Sequence, residues 1–280
     1  MALDLYCVMG HPVEHSKSPW IHARFAELTG QRLQYGKRLI PLENFAQSLR
    51  EFMSDPAGTP RGCNITVPFK FEAAALASQV SARAMLAGAA NILSFTPEGI
   101  HADNTDGIGL VTDIQHNAGV ALAGRDVLLI GAGGAAAGVL GPLIEARPAR
   151  IAIANRTHHK ALALAQRHRT LALLQGTELH TPYLSGLTGH FDVIINATAS
   201  SLSGVGVPIP ASVLKAGALA CDMMYGPAAN GFMTWAFEHG AVPRDGLGML
   251  VEQAAEAFLI WRGVRPPAAS VLAELRAQME

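Results

Sequence analysis

An uncharged run from Val127 to Ile144 constrains the fold of this 280-residue chain more than any other feature. It reads VLLIGAGGAAAGVLGPLI, and its 18 residues are about as many as a membrane-spanning helix needs. It also holds five glycines and Pro142, and the apolar VLLI is followed at once by GAGG. A buried strand that ends in a tight glycine turn explains this order better than a membrane helix does. We therefore expect no membrane span in this run.

Composition and charge exclude several classes of protein. The chain has 21 Lys and Arg against 22 Asp and Glu and no basic run, which argues against a charged nucleic-acid-binding surface. Half of its residues are hydrophobic, which excludes disorder. Its three cysteines stand apart, and its first residues do not resemble a secretory signal. These features predict a cytoplasmic protein of one or two domains, without a disulfide framework and without a membrane or nucleic-acid partner.

Strands alternate with helices in the first half of the chain, which indicates an α/β domain. Ser18 is expected to cap a helix that has Pro19 at its first position. A strand over 61–70 is expected to break at Pro68. The expected elements are strands at 3–10 and 31–40, helices at 42–53 and 72–88, and a hairpin of 91–95 with 99–104.

The second half of the chain predicts a doubly wound parallel sheet, because single strands are spaced by helices. A last helix over 248–261 has apolar residues at helical spacing and is closed by Gly263. One more helix is expected in the tail. The other expected elements are strands at 126–133, 150–155, 191–198 and 218–225, and helices at 134–146 and from Lys160 to His168 or beyond.

Gly131, Gly133 and Ala136 form the pattern G-x-G-x-x-A between a strand and a helix. Glycine allows a tight turn here and lets the backbone approach a pyrophosphate, which the helix N-terminus faces. In this strand–turn–helix setting the pattern predicts a dinucleotide-binding site. A glycine-rich turn that binds no ligand is the alternative.

The end of the next strand indicates which dinucleotide is bound. An NAD site usually places a carboxylate there for the ribose 2′-hydroxyl. This chain instead has Asn155-Arg156-Thr157, with Lys160 one turn later. Arg156 and Lys160 are suited to hold a 2′-phosphate, so we predict NADP in preference to NAD. A solvated basic helix start is the alternative, although it would oppose the helix dipole.

Lys70 and Asp106 stand out among polar clusters that lie between apolar stretches of the first half. A hydride transfer between a hydroxyl and a ketone needs a group that gives and takes a proton, and a lysine held by a carboxylate can serve. Taken singly, the polar residues of these clusters are more often turn or capping residues. The clusters read HPVEHSKSP, CNITVPFK, GAAN and ADNTDG.

Nine ordered motifs resemble those of the shikimate dehydrogenase family. They span about Gly10 to Gly263 and read HSKSPWIH, NITVPFK, GAAN, DNTDGIG, GAGGA, NRTHHKA, NATASS, DMMYGP and DGLGMLVEQAA. The resemblance implies NADP-dependent interconversion of 3-dehydroshikimate and shikimate in aromatic amino-acid biosynthesis. The family often has Ser-Arg or Thr-Arg after GAGGA. Here Ala136-Ala137 stands there, so one basic group near the cofactor phosphate is missing.

The resemblance also implies roles for individual residues. It makes Lys70 the catalytic lysine and Asp106 its partner. It places substrate contacts on Ser16, Ser18, Thr66, Asn91, Asp106, Tyr225 and Gln253. It places cofactor contacts on Gly131, Ala132, Gly133, Gly134, Ala135, Asn155, Arg156, Thr157, Lys160, Met223 and Gly246.

The expected fold is α/β, with an N-terminal α/β substrate domain, a C-terminal Rossmann-type NADP-binding domain and a cleft between them. The substrate and catalytic domain is expected at 1–110, rejoined by C-terminal helices at 248–280, and the dinucleotide-binding domain at 111–247. A small-molecule substrate is the expected partner, and a homodimer stays open.

Three alternatives are weighed against this reading. One is a quinate/shikimate dehydrogenase of broader specificity that uses NAD or NADP. Another is a non-catalytic sensor of shikimate-type ligands, which the intact pair of Lys70 and Asp106 disfavours. The third is a metal site at His11 and His15, which the loop-like setting and the missing third ligand disfavour, so no metal is expected.

Overall fold

The computed structural model describes residues 3–198 and 209–279. The NATASS motif extends past Thr198, so its end lies outside the described residues. The chain divides into two compact units. The first comprises Met1–Gly109 with Leu250–Gln278, and the second comprises Leu110–Met249.

Strands and helices alternate along the described residues. The strands are β1 (Asp4–Gly10), β2 (Leu33–Leu39), β3 (Thr59–Ile65), β4 (Gln79–Val80), β5 (Ile92–Thr96), β6 (Gly99–Asp103), β7 (Asp126–Ile130), β8 (Arg150–Ala154), β9 (Glu178–His180), β10 (Phe191–Asn196), β11 (Leu214–Asp222) and β12 (Val242–Arg244). The helices are α1 (Ser18–Thr29), α2 (Phe45–Met53), α3 (Lys70–Leu76), α4 (Ala82–Ala87), α5 (Asp106–Thr112), α6 (Gly134–Glu145), α7 (His158–Gln175), α8 (Asn230–Glu238), α9 (Leu247–Arg262) and α10 (Ala268–Ala277). A π-helical turn, Asp113–Asn117, follows α5 directly.

The first unit is built on a mixed sheet with the order β2-β1-β3-β5-β6-β4. β1 pairs in parallel with β2 and β3, whereas β5 pairs antiparallel with β3 and β6. Residues Leu5 to Met9 of β1 are all buried, because both faces of this strand are covered. Cys7 and Met9 pack with Phe45 and Phe52 of α2 in the core on one face. The expected hairpin of β5 and β6 is confirmed.

Two expectations for the first unit are wrong. Ser18 is the first residue of α1 and not its cap; Lys17 holds the cap position. The hydroxyl of Ser16 accepts a hydrogen bond from the Ser18 N–H at 3.3 Å. It therefore satisfies a backbone donor at the start of the helix, as a capping side chain would.

The helix expected over 72–88 is broken in the middle. The backbone N–H groups of Ser78 and Ser81 donate to Ile100 and Ala102, so the chain between them joins the sheet edge as β4. The Ser81 side chain then caps α4 by accepting the Ala84 N–H at 3.2 Å. Pairing with β6 outweighs the helical propensity of the alanine-rich sequence.

The second unit is a six-stranded parallel sheet with the order β12-β11-β10-β7-β8-β9. This is the strand order of a Rossmann fold, built from the halves β7-β8-β9 and β10-β11-β12. The order reverses between β7 and β10, and ligands bind at the carboxyl ends of the strands at such a switch point.

The uncharged run is divided as the glycine turn predicts. Val127 to Ile130 form the buried strand β7, and α6 follows with Pro142 inside it. Strands covered on both faces read as continuous apolar runs, which accounts for the mean hydropathy of +0.24. Within residues 3–198 and 209–279, no helix is both long and apolar enough to cross a membrane.

The interior of the first unit encloses His22, a titratable side chain of α1. Its ring is 1% exposed and stacks on Tyr35 with the ring centroids 4.2 Å apart. Phe25, Phe258 and Trp261 lie around it. Because an imidazolium is poorly solvated in this setting, burial lowers the pKa of His22 from 6.5 to about 3. The folded protein therefore keeps His22 neutral.

We expect this histidine to make the fold sensitive to acid. Below pH 6.5 the unfolded chain binds a proton at His22 that the folded chain does not, so stability falls between pH 6.5 and about 3. At pH 5 the loss relative to neutral pH is about 2 kcal/mol. His22→Phe, which keeps the ring stack, should remove this loss, whereas His180→Gln at an exposed side chain should not. Urea unfolding at about pH 5 and 7.5 measures it. The same pH dependence in wild type and His22→Phe would contradict the prediction.

Candidate active site

Lys70 and Asp106 form an ion pair in the first unit. The Nζ atom of Lys70 donates to Oδ2 of Asp106 at 2.5 Å. The two side chains are 13% and 6% exposed, so the pair is largely shielded from water. Each residue begins a helix, α3 or α5, and the Lys70 carbonyl is tied to the Ala90 N–H at 2.8 Å. A partly exposed amine with an adjacent buried carboxylate is suited to proton transfer.

The other oxygen of Asp106 is held by a buried amide network. The Nδ2 atom of Asn91 donates to Oδ1 of Asp106 at 2.8 Å and lies 3.1 Å from Oε1 of Gln253. It also lies 2.9 Å from the hydroxyl of Thr105, whose N–H donates back to Oδ1 of Asn91. Asn91, Thr105 and Gln253 are all buried. The structure thus brings together four of the predicted site residues and adds Thr105, to which we gave no role.

The turn before α5 is fixed by two further polar side chains. Asn104 is 1% exposed; its amide donates to the Ala89 carbonyl and its oxygen accepts the Asp106 N–H. Asp103 accepts from Arg83 at 2.7 and 2.8 Å. Burial alone would raise the pKa of Asp103, but these bonds outweigh it and the pKa is lowered. Both residues hold Asp106 at a defined place.

Ser16, Ser18 and Thr66 lie on other elements of the first unit. The hydroxyl of Ser16 donates to that of Ser18 at 3.2 Å. Thr66 follows β3, its N–H donates to the Met9 carbonyl at 2.9 Å, and its methyl group occupies the space that a side chain at Gly10 would need. Among the described residues, no hydrogen bond joins these three to Lys70 or Asp106. Their substrate contacts stay predictions.

A chain of hydrogen bonds from the sheet to Asn91 was missed by our sequence reasoning. The hydroxyl of Tyr35 donates to Oδ1 of Asn64 at 2.6 Å, and Nδ2 of Asn64 lies 3.3 Å from the Asn91 carbonyl. Asn64 lies in the motif NITVPFK, but nothing in the spacing of Tyr35 indicates this partner. The contact arises because β2 and β3 pair with opposite edges of β1, so the Tyr35 side chain reaches Asn64 across that strand.

The glycine turn of the second unit fits a dinucleotide pyrophosphate. Gly131 has φ of 116°, and a Cβ there would lie 3.0 Å from the Ala197 carbonyl oxygen, so glycine is required. A Cβ at Gly133 would meet no atom within 4 Å, which leaves room above the turn. Gly133 caps α6 without a side-chain bond, and the first turn of this described helix has no acidic residue. Its N–H groups are therefore suited to bind an anion.

The end of β8 fits a 2′-phosphate. Asn155, Arg156 and Thr157 lie between β8 and α7, and the Asn155 amide donates to the Thr157 carbonyl at 2.9 Å. Arg156 and Lys160 are exposed, and the first turn of α7 has no acidic residue. An NAD site usually has a carboxylate at this position, which hydrogen-bonds the ribose 2′-hydroxyl. This chain has basic side chains there instead.

Met223 and Gly246 lie together at the other half of the sheet. The Gly246 N–H donates to the Met224 carbonyl at 2.8 Å, and a Cβ at Gly246 would overlap the Met223 carbonyl group. The Met223 N–H donates in turn to the Asn196 carbonyl at 3.0 Å. Tyr225 also belongs to the second unit, so its substrate contact stays a prediction.

Comparison with known proteins identifies the family. Three family models match the chain. The model described as "Shikimate dehydrogenase substrate binding domain" matches residues 8–93, the model described as "Shikimate / quinate 5-dehydrogenase" matches 113–207, and the model described as "Shikimate 5'-dehydrogenase C-terminal domain" matches 246–276. A protein of Acidovorax sp. (strain JS42) named shikimate dehydrogenase (NADP(+)) is 66% identical over 276 residues, covering 99% of this chain and 97% of that protein.

Two solved structures have the same fold. The crystal structure of an Ael1 enzyme from Pseudomonas putida has a TM-score of 0.86 at 45% identity, covering 97% of this chain and 98% of that one. Shikimate 5-dehydrogenase from Thermus thermophilus in complex with NADP(H) and shikimate has a TM-score of 0.82 at 31% identity, covering 98% of each chain. The predicted fold class and the predicted family are confirmed, and this chain belongs to the shikimate dehydrogenase family.

Proposed function

We propose that this protein catalyses the NADP-dependent interconversion of 3-dehydroshikimate and shikimate in the cytoplasm. The observation that carries the proposal is the shielded pair of Lys70 and Asp106 joined to the amide network of Asn91 and Gln253. Relatives named NADP-dependent shikimate dehydrogenases support it. The first unit would bind substrate and the second would bind cofactor.

Lys70 acts as the acid and base of the reaction. A bound cofactor would supply the hydride as NADPH and take it up as NADP⁺. In reduction, the Lys70 ammonium gives a proton to the oxygen of the ketone, which completes the hydroxyl group once the carbonyl carbon has received the hydride. In oxidation, the neutral amine takes the proton from that hydroxyl. Asp106 orients Nζ through the bond of 2.5 Å and offsets its charge.

Neutral polar side chains of the first unit recognise the ring acid. Asn91 and Gln253 offer both donors and acceptors to ring hydroxyl groups, and Ser16, Ser18 and Thr66 offer hydroxyl donors to a carboxylate. Tyr225 would add a further hydroxyl from the second unit. Asn91 and Gln253 are buried and joined to each other at 3.1 Å, so a ring hydroxyl that they recognise must approach from a fixed direction.

The cofactor is held by residues of the second unit. The turn from Gly131 to Ala135 would bind the pyrophosphate, and Asn155 to Lys160 would bind the adenosine ribose and its 2′-phosphate. Met223 and Gly246 would line the other half of the site, since β10 to β12 form the second mononucleotide-binding half.

Substrate and cofactor preferences test this proposal. We expect kcat/KM to be highest for shikimate with NADP and about 10- to 100-fold lower with NAD. This factor corresponds to the free energy of one or two charge-assisted hydrogen bonds to the 2′-phosphate. Steady-state kinetics with shikimate and quinate, each with NADP and NAD, measures it. Comparable values for both acids would favour the broader quinate/shikimate dehydrogenase. Ligand binding without turnover of either acid would favour a sensor.

A further inference from the structure

A buried ion pair of the second unit has no role in the function proposed so far. Asp113 is the first residue of the π-helical turn after α5, and its side chain is 2% exposed. Arg244, the last residue of β12, donates from Nε to Oδ2 at 2.6 Å and from Nη2 to Oδ1 at 2.5 Å. This hydrogen bonding raises the pKa of Arg244. A bidentate pair of this kind fixes direction as well as distance.

Gly248 covers a further side of the same carboxylate. A Cβ at this position would overlap the carboxyl carbon and both oxygens of Asp113. Gly248 therefore lets the start of α9 pack directly on Asp113. The segment 244–248 is held against Asp113 at both of its ends, by a side chain at one and by backbone at the other.

Gly246 lies between these two points of attachment. Its N–H donates to the Met224 carbonyl, and its Cα faces the Met223 carbonyl so closely that a Cβ does not fit. The Met224 N–H is held at 2.8 Å by the carboxylate of Asp222, which is 1% exposed. A shift of Arg244 or Gly248 would therefore move Gly246 away from the Met223 and Met224 carbonyl groups, whose positions are fixed by the backbone.

We propose that Asp113 is a positioning residue for the nicotinamide end of the cofactor, acting through Arg244 and Gly248. The proposal rests on the proposed function, which places Met223 and Gly246 against the cofactor. These residues follow β11 and β12, in the half of the Rossmann fold that does not hold the adenosine. Asp113 itself performs no proton transfer; it sets where the segment 244–248 lies.

Two variants of the pair test the proposal. In Asp113→Asn the bidentate partner loses its charge, and in Arg244→Lys the forked geometry is lost while the charge stays. We expect the KM for NADPH to rise and kcat to fall, so that kcat/KM for NADPH drops about 10- to 100-fold, as for a displacement of about 1 Å near the reaction. The KM for 3-dehydroshikimate should change less than about 2-fold.

A third variant changes the geometry and keeps both charges. Gly248→Ala places a methyl group where the Asp113 carboxylate lies, and it should shift the KM for NADPH in the same direction. The control is Asp192→Asn, which removes another ion pair of this unit, with Lys215 at 2.7 Å, at the amino ends of the strands. It should lower the melting temperature without changing the KM for NADPH.

Four results decide the matter. A selective loss toward NADPH in Arg244→Lys and Gly248→Ala supports the proposal even if Asp113→Asn fails to fold. Wild-type KM and kcat for NADPH in folded Arg244→Lys and Gly248→Ala would overturn it. An equal cofactor effect in Asp192→Asn would also overturn it, since general destabilisation would then suffice. Fluorescence titration of the wild-type protein with NADPH distinguishes a failure of this proposal from a failure of the proposed function. A wild-type protein that binds no NADPH would refute the proposed function itself.

Discussion

Lys70→Ala should lower kcat by about 10²- to 10⁴-fold and leave the KM for shikimate nearly unchanged. Under the proposed function, the variant lacks the amine that would give and take the proton, whereas Asn91 and Gln253 would still bind the ring. Because the Lys70 side chain is only 13% exposed, its removal also leaves the Asp106 carboxylate without its counter-charge, so the melting temperature should fall while the unit stays folded. Steady-state kinetics in the direction of shikimate oxidation, with a thermal melt, measures both effects.

A matched control for Lys70→Ala is Lys37→Ala. Lys37 is an exposed lysine of β2 in the same unit, and its Nζ contacts only the backbone carbonyl of Glu14 among the hydrogen bonds seen in the described chain. It should keep kcat within about 2-fold. A near-normal kcat in Lys70→Ala would remove Lys70 from the proton transfer, and an equal loss in both variants would point to damage of the unit.

Arg156→Ala should raise the KM for NADPH about 10- to 100-fold and leave the KM for NADH unchanged. The guanidinium is suited to bind the 2′-phosphate with two parallel bonds, which NADH does not need. The effect should be large because Ala136-Ala137, directly after the glycine turn, carries no charge, so Arg156 and Lys160 would provide most of the positive charge. Arg156→Ala/Lys160→Ala should abolish the preference.

The control for Arg156→Ala is Arg169→Ala, which changes an exposed arginine in α7, the helix that follows Arg156. It should leave the KM for both cofactors unchanged. A parallel loss with NADH in Arg156→Ala would show that Arg156 does not read the 2′-phosphate, and the basic start of α7 would then be a solvated surface.

The Rossmann half of the fold was predictable because its signals are local. A buried run, a glycine turn and a helix follow one another in β7 and α6, and each signal needs only its neighbours in sequence. The break between α3 and α4 was not predictable from the sequence, because it depends on hydrogen bonds to Ile100 and Ala102, residues of a strand that follows later. The edge strands β9 and β12 were missed, since three residues are too short to show a period.

The candidate site shows the same limit. Lys70 and Asp106 stood out from their chemistry and the family motifs, but their meeting depends on where β3 and the β5–β6 hairpin place the starts of α3 and α5. Thr105 gave no signal because a threonine in a turn is common. Tyr35 and Asn64 are joined only because β1 lies between their strands, a long-range pairing that no local pattern indicates.

The interrupted first unit has a consequence for synthesis on the ribosome. The second unit, Leu110–Met249, is one continuous segment and is complete before Leu250–Gln278 has been made. Gln253 then joins Asn91 across 162 residues of chain, so the buried amide network beside Asp106 is among the last sets of contacts to form. Because domains fold as units, a released chain that ends near Met249 would carry a folded dinucleotide-binding unit and a first unit that lacks most of α9 and all of α10.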